Sequence, residues 1–187
     1  MSTTMSAGGL LLLTVGAPGA GKSTWAHRHF PPSAIISSDQ LRFRVCGRHT
    51  DQAATPAAVR ILHAIVQGRM QFGQTTVVDA TNAEPRHRDE LLEAAHQHGR
   101  PVVAVVFDVP LQICLDRNAR RRGRRRVPES FVRATHARIC AEFPAGLLHV
   151  PDGLAAVLWI DADGQARLRG QVPAEYRTRT WLTGAPV

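Results

Sequence analysis

Gly16, Ala17, Pro18, Gly19, Ala20, Gly21, Lys22, Ser23 and Thr24 form a segment whose residue types can hold a polyphosphate. It matches G-x-x-x-x-G-K-[ST] in full. The glycines let the backbone curl with its N–H groups pointing inward, and the helix that follows adds the positive end of its dipole, so that the loop becomes a concave anion site. At this spacing Lys22 is expected to reach the β- and γ-phosphates of ATP, with GTP open as an alternative donor, and the Ser23 hydroxyl to ligate Mg²⁺. The competing reading is a glycine turn that merely links strand to helix. It leaves the strand, spacing, lysine and serine unexplained together.

Three further groups of residues have chemical potential. Asp39 follows the apolar pair Ile35–Ile36, where a carboxylate would stand just past the C-terminal end of a strand, and Arg42 lies three residues on. A hydroxyl acceptor needs a base opposite the γ-phosphate; Asp39 is a candidate, and Arg42, on the same face if a helical turn begins at Ser38, could hold an acceptor phosphate. The plainer alternative is a capping Asp with an exposed ion pair. Asp79 ends the β-branched run Thr75–Val78 and is expected to help hold Mg²⁺, directly, through a water or through Ser23. It and Asn82 could equally be turn and cap residues, while Arg86 and Arg88 on the next helix could face solvent or substrate. Finally, seven of the ten residues from 117 to 126 are arginine: Arg117, Arg120, Arg121, Arg122, Arg124, Arg125 and Arg126. Such a run is ordinarily a solvated or nucleic-acid-binding surface. Its place after the fourth strand, with Gly123 inside it, also suits a lid over the donor, in which Arg117 and Arg121, one helical turn apart, contact nucleotide phosphates.

Positioning these residues calls for an α/β fold. Strand candidates at Leu10–Val15, Ala34–Ser37, Thr75–Asp79, Pro101–Phe107 and Ala155–Ile160 alternate with helical patterns at Lys22–His29, Gln52–Gln71, Pro85–His98, Leu111–Arg122 and Val127–Phe143. That alternation predicts a parallel sheet flanked by helices on both faces, with an arginine-rich lid. Asp-Ala-Asp-Gly between apolar segments, within Trp159–Leu168, predicts a hairpin at the sheet edge. A chain of 187 residues suits a single domain, with a core of about 10–160 and an extension over 161–187. Lys plus Arg outnumber Asp plus Glu by 23 to 15, a net +8 that suits a polyanionic partner. Lys22 is the one lysine in the chain. A GC-rich codon bias would exclude lysine generally, yet it is kept where a compact ammonium on a flexible stem is required. The isolated cysteines Cys46, Cys114 and Cys140 argue against zinc and for a reducing compartment, and the absence of a long apolar stretch argues against a membrane, so the cytoplasm is the expected location.

With these pieces in order the chain resembles the kinase domain of the bacterial polynucleotide kinase-phosphatase of RNA repair and, more distantly, phage polynucleotide kinase. The resemblance runs from about Leu11 to Ile160 and is carried by GAPGAGKSTWA (Gly16 to Ala26), ISSDQLR (Ile36 to Arg42), DQAAT (Asp51 to Thr55), TVVDATN (Thr76 to Asn82), VAVVFDVPLQICLDRNARR (Val103 to Arg121) and Val127-Pro128. It implies that Asp39 is the general base for a 5′-hydroxyl, that Arg42 holds the neighbouring phosphate, and that Arg117 and Arg121 form the lid. It also implies transfer of the γ-phosphate, with Mg²⁺, to an RNA or DNA 5′-OH end as nucleic-acid partner. Bacterial members of that family usually carry phosphatase and ligase modules that are missing from this sequence. The pattern therefore leaves open a small-molecule acceptor such as a nucleoside, sugar, antibiotic or nucleotide-sugar.

Overall fold

A computed structural model describes residues 9–48, 51–121, 126–144, 147, 149–177 and 179–183. Among these, six strands form one sheet: β1 (Leu11–Val15), β2 (Ile35–Ser37), β3 (Thr76–Asp79), β4 (Val102–Asp108), β5 (Ala156–Asp161) and β6 (Ala166–Gly170), in the order β2-β3-β1-β4-β5-β6. All neighbours are parallel except β5 and β6, which form the antiparallel hairpin expected from Asp-Ala-Asp-Gly. The hairpin turn is closed by Asp161 N donating to Gln165 O at 3.1 Å and by Gly164 N donating to Asp161 O at 3.1 Å.

β1 is buried along its whole length, as a central parallel strand covered on both faces must be. Its alternate residues separate the two cores. Leu10 and Leu12 pack with Trp25 and Ala26 of α1 (Lys22–His29) and Cys114 of α5 (Leu111–Ala119), whereas Leu11 and Leu13 pack with residues of α2 (Ser38–Cys46), α3 (Thr55–Gln71) and α4 (Pro85–His96). α6 (Glu129–Glu142) contributes Val132 to the first core and Ile139 to a third cluster around Val15, Val106 and Trp159.

The helix boundaries differ from expectation for identifiable reasons. The helix expected from Gln52 opens with a 3₁₀ turn, Gln52–Ala54, and becomes α-helical at Thr55, where Pro56 occupies its first turn. The helix expected over Pro85–His98 stops at His96, because Gly99 turns left-handed (φ 62°) and Arg100 N folds back to Ala95 O at 2.9 Å. α6 begins at Glu129, with Pro128 as its N-cap. A full helix, α2, stands where the sequence suggested a turn at Ser38. The extension beyond Asp161 is not an appendage. β6 adds the edge strand, and the ring of Trp181, in the short helix α7 (Thr180–Thr183), lies 6.0 Å from that of Phe30, within the core that holds Trp25. Among the described residues no helix is long and apolar enough to cross a membrane.

Candidate active site

Between β1 and α1, residues 16–21 turn the chain from strand into helix. Gly19 (φ 91°) and Gly21 (φ 103°) hold backbone conformations that a side chain disfavours. At Gly19 the space is closed as well, since a Cβ there would lie 2.4 Å from the carbonyl oxygen of Cys114. The loop is thus seated on α5. Gly16 N donates to Thr81 O at 3.2 Å, which ties the start of the loop to the segment after β3.

Lys22 Nζ donates to Gly16 O at 2.8 Å and Ala17 O at 3.0 Å, bending its stem over the loop. Burial pushes its ammonium down to about 8; Asp79 and Asp39 pull the other way, and Arg121 adds to the lowering. One ammonium therefore feels charges delivered by the end of β3, by α2 and by the segment after α5. Burial likewise pushes the Cys114 thiol up, against the opposing pull of Lys22 and Arg117.

Ser23 Oγ donates to Asp79 Oδ2 at 2.7 Å, joining the first turn of α1 to the end of β3. Asp79 is buried. These are hard oxygen donors, suited to Mg²⁺. Among the described residues no group of three or more His, Cys, Asp or Glu gathers to hold a metal ion. A divalent cation beside Ser23 and Asp79 would complete its shell from nucleotide phosphates and water, the ordinary mode for Mg²⁺.

Asp39 and Arg42 lie one turn apart on α2 and form an ion pair, with the Arg42 side chain 14% exposed and that of Asp39 64%. Arg117 brings a guanidinium nitrogen to 3.9 Å from where a Cβ on Gly21 would sit, so it stands over the phosphate loop. Arg120, Arg121 and Arg126 are exposed, whereas Arg122, Arg124 and Arg125 lie outside the described residues. Thr24, at the third position of α1, is exposed.

The sequence did not single out Asn118 or Thr14, and it left the roles of Asn82 and Arg88 open. Asn118 is buried and clasps Val127 in both directions: its Nδ2 donates to Val127 O at 2.9 Å and its Oδ1 accepts from Val127 N at 3.2 Å. That clasp closes the base of the arginine segment. Thr14, the polar residue in an otherwise apolar strand, donates to Val78 O and Ala80 O, both at 3.1 Å. Asn82, left-handed at φ 43°, donates through Nδ2 to Thr14 O at 2.8 Å and so locks β1 to the turn after β3. Arg88 faces neither solvent nor a substrate. It is buried, donates to Asn82 O at 2.6 Å, pairs with Glu142 and lies 5.3 Å from the Phe143 ring centroid. Arg86 is exposed.

The mostly parallel sheet with its phosphate loop is the fold of P-loop kinases. Similar solved structures include a sugar kinase from a Janibacter species, with TM-score 0.55, 21% identity, and coverage of 82% of this chain and 85% of that one. The AvrRxo1-ORF1:-ORF2 complex with ATP gives TM-score 0.62 at 16% identity, covering 87% of this chain and 58% of that one. The Pnkp1/Rnl/Hen1 RNA repair complex gives TM-score 0.61 at 20% identity, covering 74% and 46%. At these identities the likeness is one of fold. Among curated proteins, Transcription factor bHLH140 of Arabidopsis thaliana is 26% identical over 114 residues, which are 61% of this chain but 12% of that protein, so the chain spans about an eighth of this relative's length. The AAA domain family matches residues 11–145, from β1 through α6, a span that contains the phosphate loop, Asp39, Asp79, Arg117 and Arg121, and the chain belongs to that family.

Proposed function

We propose that this chain is an ATP-dependent polynucleotide 5′-hydroxyl kinase. The observation that carries this reading is the gathering about the phosphate loop of Asp79, bonded to Ser23, and Arg117, which stands over Gly21, with the Asp39 carboxylate on the helix that follows β2. A nucleotidase needs the phosphate loop and its cation; a kinase needs in addition a base for the acceptor and a cover for the donor. In this reading Asp39 accepts the proton of the 5′-hydroxyl as its oxygen bonds to the γ-phosphorus, and the bond from that phosphorus to the bridging oxygen breaks to release ADP. Lys22 and the loop N–H groups hold the phosphates, while Arg117 and Arg121 offset charge on the transferred group. Ser23 and Asp79 would hold Mg²⁺, which when bound would supply positive charge beside the phosphates. The net charge of +8 and the exposed Arg44, Arg48, Arg120 and Arg126 favour a polyanionic acceptor.

A second reading, a kinase of a small-molecule hydroxyl, draws support from the Janibacter sugar kinase, which matches this chain over most of both lengths. Phosphate transfer from labelled ATP to a 5′-OH oligonucleotide, measured beside a panel of sugars, nucleosides and other small alcohols, decides between them. Transfer to small alcohols with none to any RNA or DNA oligonucleotide would overturn the first reading.

A further inference from the structure

A helix packed on a sheet ordinarily turns its apolar side chains inward and its charges outward. α2, all of it described, inverts that pattern. It buries Leu41 alone, keeps the Arg42 side chain only 14% exposed, and leaves Phe43 47% and Val45 39% exposed. A single exposed apolar residue is unremarkable. An arginine drawn in while the adjacent phenyl ring is turned out is a local rule broken, and such breaks concentrate at functional sites.

The position of that ring gives it meaning. Asp39 and Phe43 are four residues apart in one helix and therefore neighbours on one face. Phe43 thus occupies the next turn beyond the candidate base. Past it the helix ends at Gly47, left-handed at φ 71°, whose N–H donates to Phe43 O at 2.7 Å. Exposed Arg44 and Arg48 both follow the ring along the chain, the second just past the end of the helix. A carboxylate, then a flat apolar face, then exposed arginines matches the order of groups in a terminal nucleotide: 5′ oxygen, base, and the phosphate leading to the next residue. Aromatic faces beside basic side chains are the common platform for single-stranded nucleic acid, because every base has a face that stacks.

We propose that Phe43 is the stacking platform for the terminal base of the acceptor strand, a specificity-determining residue that favours nucleobase-bearing hydroxyls over sugars and other simple alcohols. The proposal rests on the kinase reading above and narrows its substrate class.

The test uses the full chain, ATP and two 5′-OH oligonucleotides that differ only in whether the terminal residue carries a base or is abasic. Wild type, Phe43→Ala and Phe43→Trp are compared by kcat and KM for each oligonucleotide and by KM for ATP. Phe43→Ala is expected to raise KM for the intact end roughly 5- to 150-fold, the range of one base–aromatic stack, while KM for ATP and transfer to the abasic end stay near wild type. Phe43→Trp is expected to restore the intact end, which a folding defect would not allow. Equal losses on both ends, or no loss on either, would overturn the assignment of Phe43 while leaving the kinase reading in place. A wild-type protein that phosphorylates small alcohols and neither oligonucleotide overturns the kinase reading and this inference together.

Discussion

Nucleotide affinity should fall as pH rises through the range where an ordinary lysine would remain charged. In the free protein burial holds the Lys22 ammonium at about 8. The fraction carrying its proton then drops from about nine tenths at pH 7 to about one tenth at pH 9. A bound polyphosphate places negative charge beside the ammonium and favours the charged form. Binding above pH 8 must therefore be accompanied by proton uptake, and affinity should weaken by about tenfold between pH 7 and pH 9, approaching one proton per nucleotide. The assay is calorimetric titration with ADP and Mg²⁺ in buffers of different ionisation enthalpy, from which proton uptake is read directly. Lys22→Met should bind weakly and show a flat profile over the same range. A wild-type profile that stays flat to pH 9 would mean that Lys22 titrates like an exposed lysine, and would refute the burial argument. The same shift has a sign for folding. Because the folded state holds the lower pKa, the unfolded chain binds more protons between about 8 and the ordinary lysine value, so ligand-free stability from this group rises with pH across that window.

Three other perturbations separate chemistry from support. Asp39→Asn should reduce phosphate transfer by about 10² to 10⁴, the usual contribution of a positioned base, with ADP affinity nearly intact by the same titration; unchanged transfer would remove Asp39 from the catalytic role. Arg88→Met strips the partner from Glu142 and a donor from Asn82 O, both in partly or fully buried surroundings, and should cost about 3–5 kcal/mol in urea unfolding, whereas Arg86→Met on the exposed face should change stability little. Asn118→Ala opens the clasp on Val127 and should cost about 1–3 kcal/mol for the buried groups left unsatisfied, with a loss of kcat in which the KM of the acceptor is unmoved; a change confined to stability would make the clasp purely structural.

The phosphate loop was readable from sequence because all of its parts lie within nine residues and its geometry is local. The ion pair between Asp39 and Arg42 was readable for the same reason, and it is the contact that the plainer reading of their three-residue spacing expected. The contact between Ser23 and Asp79 was only one of three options for Asp79, because it requires β3 to lie beside β1, a matter of sheet order that no local pattern encodes. Asn118 was hidden among arginines, and its partner Val127 lies beyond the charge run. Arg88 misled in a different way. Its place on a helix with Arg86 left it to face solvent or substrate, yet burial against Phe143 and Glu142 comes from α6 and the residue after it, some fifty positions later. α2 entered only as the condition of a helical turn beginning at Ser38, and its apolar residues form no stripe to extend it, since Phe43 and Val45 are exposed.

The strand order carries an electrostatic consequence for the proposed reaction. β1 lies between β3 and β4, and Lys22 follows from β1. Asp79 and Asp39 arrive from β3 and from beyond β2, on one side of it; Arg117 and Arg121 arrive through α5 from β4, on the other. The two carboxylates thus come from the β3 and β2 side of β1 and the two arginines from the β4 side, a division that follows from topology before any side chain is chosen. Deprotonation of an acceptor hydroxyl is helped by the acidic side, and charge on the departing phosphates is offset by the basic side. Asp39 and the two arginines should therefore fail differently when removed. Loss of Asp39 slows transfer without loosening the donor, whereas loss of Arg117, which stands over the loop itself, should weaken donor binding as well as the transfer step.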